Sequence, residues 1–374
     1  MRKILGLAAG LIIGVISGAH AETVKIGIVE ALSGPPVIVD FGESYLQGIQ
    51  LAFKEYKASN PKRDIEIVVY NDEANPQRSV SLVQRLIASD QVSAIVGTVN
   101  AGSVVAFAPL AQQAGVPLMI GPATATDITT KFIDQKPSYI FRCSMVERFM
   151  TDAVLDWAVK HYKSIGMIHT TSGYGMFALN EVQSGMAARG RTLAAVEAAA
   201  PTVSDMTPQA LKMKDAGVDL VLIYHDSPEL IFRAFQKLDY KPATAAGWGL
   251  SSQMAVNVIG KEAIEGGVMA QAFDIEDPKA REFDAKMRAE FGDKYRWPVV
   301  AALGYDAMRL VLQAVDRAGG EPAKVRDALE ETDNFRAVTD TPSHPFSAHN
   351  HECLEPSAVF LGVWRGGEVV RLAN

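Results

Sequence analysis

From residue 24 onward, short β-branched runs alternate with stretches whose apolar positions recur every three or four residues. That alternation is the signature of parallel strands covered by helices on both faces. Residues 24–29, 65–70, 94–97 and 118–120 read as four strands, with helices between them at 42–58, 77–89 and 103–114. Asn75-Pro76 opens the second of these helices, an amide to cap it and a proline suited to its first turn. A second series follows, with strands at 165–169, 193–197, 220–224 and 243–247 and helices at 147–161, 175–189, 207–216 and 228–238. Two similar series in tandem predict two α/β lobes, each with its own sheet.

The tail departs from a simple tandem. Residues 267–273 read as one more strand, followed by helices at 278–291 and 299–318 and a shorter one from Pro322. Residues 357–364 then pair with 369–372 in a hairpin that turns at Arg365-Gly366-Gly367. No Ser/Gly-rich linker separates the halves, which suits lobes joined by several chain crossings rather than by one tether.

The start of the chain reads as an export signal. Arg2 and Lys3 precede an apolar run over 4–18 and a small-x-small site at Ala19-His20-Ala21, so cleavage is expected after Ala21, with a mature chain from Glu22 in the periplasm. The apolar run is shorter than the roughly twenty residues that span a bilayer, and no later segment reads as long and apolar enough. No cysteine stands at the cleavage point for a lipid anchor, and no direct membrane insertion is expected. The 353 remaining residues suit two domains better than one core. The formal charge of −7 becomes −9 without Arg2 and Lys3, and no basic cluster stands out, which disfavours nucleic acid and anionic membrane as partners. With only Cys143 and Cys353, a disulfide framework or a four-thiolate metal site is excluded; the two either pair or remain buried thiols.

Several short motifs resemble, in order, those of the periplasmic solute-binding proteins of ABC importers, in the branch of the leucine/isoleucine/valine-binding proteins. Val24-Lys25-Ile26-Gly27 with Leu32-Ser33-Gly34-Pro35 resembles the first strand and loop. Residues 72–78, Ile95-Val96-Gly97 and Ala114-Gly115-Val116-Pro117 continue the likeness. Ala123-Thr124 with Thr129, Phe141-Arg142, Tyr174-Gly175 and Gly304-Tyr305-Asp306-Ala307 complete it over nearly the whole mature chain. The resemblance implies two Rossmann-like lobes joined by three hinge crossings, with the ligand between them. It implies a first lobe of residues 22–142 plus 273–340 and a second of 143–272 plus 345–374, closing as a hinge around a solute.

Open α/β sheets bind ligands at the carboxyl ends of their strands, and the loop from Thr98 to Ser103 sits at such a point. In that loop, which includes Asn100, Ala101 and Gly102 leave their backbone N–H groups approachable; the helix start that follows favours an anion, and the resemblance implies a ligand carboxylate there. Ser103 either reaches that carboxylate or caps its own helix. Ala123, Thr124 and Thr126 follow the next strand, and the resemblance implies a backbone N–H and one of these threonine hydroxyls on the same carboxylate. From the second lobe, Tyr174 would close over the ligand. Asp226 either faces the ligand or caps a helix. Phe41, after an expanded Pro35-Pro36 loop, matches the family's aromatic wall.

The departure from the family lies at Gly247-Trp248-Gly249. Amino-acid-binding relatives carry a glutamate near this point for the ligand ammonium, and an unpartnered buried ammonium costs several kcal/mol. Trp248 and Gly249 instead suit a flat apolar body, so a small aromatic or branched carboxylate is preferred over a standard amino acid, which Asp226 would have to serve. His349, His351 and Cys353 would share one face of an extended strand, but no fourth ligand is adjacent and no metal is expected. No cofactor is expected either: hydrolase and phosphate-loop motifs are absent, and Gly247 to Ser252 lacks the third glycine of a dinucleotide loop. The expected activity is therefore capture of the solute by a monomeric, non-enzymatic protein that presents it to a permease in the inner membrane. The rivals are a ligand sensor of the same fold and an exported hydrolase improvised from Ser172, His225 and Asp226.

Overall fold

The computed structural model describes residues 23–373; the export signal and its cleavage site after Ala21 lie outside the described residues. The first sheet is parallel, ordered β2-β1-β3-β4-β5, from β1 (Val24–Glu30), β2 (Ile65–Asn71), β3 (Ala94–Gly97), β4 (Leu118–Ile120) and β5 (Ile140–Arg142). Strand β1 lies inside this sheet, where Ile26 and Ile28 are buried and pair with Ile67 and Val69 on one side and Ala94 and Val96 on the other. The helices between these strands are α1 (Pro36–Ala58), α2 (Pro76–Arg85), α3 (Ala101–Ala114) and α4 (Asp127–Ile133). Helix α1 begins six residues before the expected start: Pro35-Pro36 is no expanded loop, because Pro36 takes the first helical position, where its missing N–H costs nothing. Phe41 is consequently a helix residue. Asn75 caps α2 by accepting the Arg78 N–H at 3.0 Å, and the expected long helix ends at Arg85 in a π-helical turn over Leu86–Asp90.

The second series begins with α5 (Glu147–His161), β6 (Ile165–Thr170), α6 (Gly173–Ala188), β7 (Ala195–Ala199), α7 (Thr207–Asp215), β8 (Leu220–Tyr224), α8 (Pro228–Lys237) and β9 (Ala243–Ala246). After a 3-10 turn at Trp248–Leu250 come α9 (Gln253–Ile259), α10 (Lys261–Ile264) and β10 (Val268–Gln271). Helices α11 (Pro278–Phe291), α12 (Pro298–Ala318) and α13 (Pro322–Glu330) precede a hairpin of β11 (Phe360–Arg365) and β12 (Glu368–Arg371). The second sheet is ordered β12-β11-β10-β9-β8-β6-β7, its pairs parallel except the two that β11 makes with β10 and β12. The hairpin turns on Gly366 and Gly367 alone, at φ 60° and 88°, the backbone of a type I′ turn.

Helix α12 corrects one expectation: by length and composition it is long and apolar enough to cross a membrane. It serves here as a core helix against α1. Gly48 and Gly304 permit that contact, since a Cβ at either would lie within 2.3 Å of the opposite backbone. The buried Asp306 of α12 accepts the N–H groups of Val338 and Thr339 and the Thr339 hydroxyl, which fixes the chain that follows α13 against α12. That chain then runs beside β5, with Arg142 N donating to His351 O and Cys353 N to Arg142 O, both at 2.9 Å. The fully buried Arg142 guanidinium meets both carboxylate oxygens of Glu352 at 2.6 Å. Cys143 and Cys353, the next residues of this short parallel ladder, are buried free thiols. The expected alignment of His349 with His351 and Cys353 fails, because a turn at Ser347–Asn350 carries His349 into solvent. His351 is held by Ile140 O and Glu330, and stacks on Phe141 with ring centroids 3.8 Å apart.

Candidate ligand-binding site

A narrow cleft lies between the two sheets, and its empty space, counted out to the open solvent at its mouth, is about 630 Å³. On the first lobe its wall is built by the start of α1 and by the loops after β3 and β4. Val37, Ile38 and Phe41 project from α1, and Asn100, Ala101, Pro122 and Thr124 come from the loops. Asn100 caps α3, its Oδ1 accepting the Ser103 N–H at 3.0 Å, so the free N–H groups of the first turn gather beside the cleft. Ser103 is therefore neither cap nor wall residue: its side chain is buried outside the cleft.

The second lobe contributes Tyr174 from α6, Ile223, His225 and Asp226 from the end of β8, and Trp248, Gly249 and Leu250 from the turn after β9. Trp248 meets Phe41 edge to face across the cleft, with ring centroids 5.1 Å apart, and Phe41 in turn contacts Trp297 at 4.0 Å. Trp297 is anchored by an N–H to Ser251 Oγ at 2.7 Å, and that hydroxyl donates to Trp248 O at 2.7 Å. The aromatic wall is thus held from behind. A Cβ on Gly249 would come no nearer than 3.7 Å to the Tyr174 hydroxyl, so this side of the cleft stays open. Among the described residues no Lys or Arg lines the cleft.

Asp226 does not cap α8: Thr170 Oγ1 donates to its Oδ2 at 2.8 Å, while His225 Nδ1 takes the Ser227 N–H at 3.0 Å. A backbone N–H can only donate, so the neutral His225 ring carries its proton on Nε2; burial holds its pKa below the usual value. These bonds leave Ser172, His225 and Asp226 unlinked as a hydrolytic set. Behind Thr124 stands Glu147, buried at the first position of α5. Thr124 Oγ1 lies 2.6 Å from Glu147 Oε2, and Glu147 N donates to Thr124 O at 2.7 Å. Burial first, then repulsion from Glu181, pushes the Glu147 carboxyl up to about 7, against the lowering effects of Thr124 and Arg142.

Of the residues expected at the site, Phe41, Asn100, Ala101, Thr124, Tyr174, Asp226, Trp248 and Gly249 line the cleft. Gly102, Ser103, Ala123 and Thr126 do not. Thr126 Oγ1 turns away to accept the Arg148 N–H at 3.2 Å, and the wall after β4 is made by the neighbours of Ala123. Gly102 instead faces Gly173 at the start of α6: a Cβ on Gly173 would lie 3.1 Å from Gly102 Cα, so the lobes touch here backbone to backbone. Sequence reasoning missed Val37, Ile38, Val99, Pro122, Ile223, Pro228 and Leu250, apolar wall residues that look like any other core position. The only signal for the first two was a proline suited to open a helix.

A family model described as periplasmic binding protein matches residues 23–366. The Leu/Ile/Val-binding protein homolog 7 of Brucella suis biovar 1 (strain 1330) is 22% identical, over 99% of this chain and 96% of its own length. Among solved structures, the branched-chain amino acid transporter substrate binding protein LivJ of Streptococcus pneumoniae, in complex with isoleucine, superposes with a TM-score of 0.80 at 22% identity, covering 94% of this chain and 100% of that one. A solute binding protein of an ABC transporter from Rhodopseudomonas palustris BisB5, in complex with 3,4-dihydroxy benzoic acid, gives 0.76 at 24% identity, covering 94% and 96%. With the match running from the first strand into the final hairpin, the chain belongs to the periplasmic binding protein family.

Proposed function

We propose that this protein captures a small aromatic or branched carboxylic acid in its cleft and presents it to an ABC permease of the branched-chain amino acid type. The observation that carries the reading is the pairing of two unlike walls. The start of α3, at Asn100 and Ala101, offers backbone donors to an anion, and Trp248 and Gly249 across the cleft join Phe41 of the first lobe in an apolar surface for a flat body. Hydrogen bonds to the carboxylate contribute about 1.5 to 3 kcal/mol each, and apolar burial adds the rest. The R. palustris relative bound to a dihydroxybenzoic acid supports an acid without an ammonium. The second reading, a branched-chain amino acid, is favoured by Asp226 in the wall and by the isoleucine-bound relative.

No bond is made or broken in this reading. The protein acts as a monomer after export and cleavage at Ala21, with lobes of residues 22–142 plus 273–340 and 143–272 plus 345–374 closing on the solute. The deciding experiment is a thermal-shift and calorimetric panel on the mature protein with benzoate, 4-hydroxybenzoate, 3-methylbutanoate, leucine, isoleucine and valine. Stabilisation by acids is expected; stabilisation by the amino acids alone would transfer the site to the second reading, with Asp226 on the ammonium. Trp248→Ala is expected to weaken an aromatic acid more than about tenfold, or 1.4 kcal/mol, with the fold intact. Operon partners separate delivery from sensing: deletion of a neighbouring permease gene should abolish uptake of the solute, and uptake that persists would favour a sensor.

A further inference from the structure

We propose that Glu147 acts through the Thr124 hydroxyl to couple anion binding to uptake of one proton. The inference rests on the carboxylate reading above. Thr124 carries one hydroxyl proton and lines the cleft; Glu147 lies behind it, its Oε2 at 2.6 Å from Thr124 Oγ1. When Glu147 is ionised it has no proton to give, so Thr124 must donate to it. The hydroxyl then turns only lone pairs toward the cleft. A ligand carboxylate arriving there would meet an oxygen without a proton, with a second carboxylate beyond it in a site shielded from water.

Protonated Glu147 reverses the bond. Its Oε2–H donates to Thr124 Oγ1, and the threonine proton is released to point at the ligand. The balance is simple: one proton taken from solvent resides on Glu147, and no covalent bond of the ligand changes. The backbone bond from Glu147 N to Thr124 O persists in both states, so the loop stays in place while the hydroxyl rotates.

The groups facing Glu147 do not hold it ionised. Arg142 on β5 is the nearby cation, but its guanidinium is engaged by Glu352 on two atoms. Glu181 on α6 repels it, and Thr151 on its own helix offers a hydroxyl. Tyr174 on α6 and Tyr224 on β8 face it with phenols that burial keeps protonated. Glu147 Oε1 is buried without a partner at hydrogen-bond geometry, which favours the neutral acid. Its elevated carboxyl pKa near 7 brings the switch within the working range of the compartment.

The test is calorimetry of benzoate, 4-hydroxybenzoate and 3-methylbutanoate binding between pH 5.5 and 8.5, in pairs of buffers with different ionisation heats. Wild-type affinity is expected to fall toward tenfold per pH unit above 7, with uptake approaching one proton per ligand at pH 8. Glu147→Gln, whose amide donates permanently to Thr124, should flatten the profile, abolish proton uptake and bind at least tenfold tighter than wild type at pH 8. Acid binding with a flat wild-type profile would overturn this proposal while leaving the carboxylate reading standing, as would a pH profile unchanged in Glu147→Gln. Affinity for these acids that rises with pH would also overturn it. No acid binding at any pH would overturn the carboxylate reading itself. The proton-uptake measurement on the wild type decides the matter even if the variant folds poorly.

Discussion

Arg142 has no exposed surface, and its guanidinium is answered by Glu352 on two atoms and by the carbonyl of Ala125. Removing one partner of such a pair strands the other charge inside the protein, so Arg142→Leu should cost about 3 to 5 kcal/mol in urea denaturation. A loss below 1 kcal/mol would mean that water reaches the pair. Glu147 makes a residue-scale prediction of opposite character. Its folded pKa is raised, so its contribution to stability is full below the ordinary carboxylate value and is lost as pH rises through about 7. The ligand-free Glu147→Gln protein should accordingly gain melting temperature over wild type between pH 5 and 8; a constant difference across that range would contradict the shift. Residue identity in the sequence indicated the chemistry of the anion loop but not its aim. Asn100 and Ser103 are both competent caps three residues apart, and only the backbone decides that Asn100 caps while Ser103 is buried. Thr124 and Thr126 are likewise chemically equal, and what separates them is the path of the loop toward α5.

At the scale of elements, strands with β-branched cores such as β1, β2 and β8 were legible within a residue or two. β7 was read two residues early because Ala195–Ala199 carries only one β-branched residue and pairs at the edge of its sheet. The start of α1 was misread because proline signals both loops and first turns, and the first turn it opens carries Val37 and Ile38 into the cleft. β5 escaped notice as a strand: Ile140–Arg142 is three residues long, and its length is justified only by β4 on one side and the returning chain on the other. That ladder sets Cys143 beside Cys353, and burial pushes the Cys143 thiol pKa up, which suppresses the reactive thiolate. Both thiols should resist a maleimide in the native protein and react together on unfolding without reductant. Absence of labelling in denaturant would instead reveal a bond between them.

For the molecule as a whole, the tandem of two βα series was readable, since hydrophobic period alone distinguishes strand from helix. The cleft was not, because its wall is assembled from residues more than two hundred positions apart, as Val37 and Trp248 are, and no local pattern encodes that meeting. The closeness of the lobes depends on Gly102 and Gly173. Gly173→Val would drive a branched side chain into the opposite helix start. The expected result is a larger radius of gyration by solution scattering in saturating ligand and at least tenfold weaker binding, with unchanged thermal stability of the empty protein. An unaltered scattering profile would show that closure has slack at this point.

Contact between two main chains also has a meaning for selection. Long side chains at that junction could change rotamer and let the lobes settle further around a thin solute or relax around a bulky one. Bare backbones have no such play, so under the proposed capture the cleft would act as a fixed gauge. A solute below the gauge leaves unfilled volume, at about 24 cal/mol for each Å³ of void, and one above it holds the lobes ajar. Size would then be judged from both directions at a junction outside the cleft wall, and a side chain at Gly173 would alter which solutes pass without altering any group that lines the cleft.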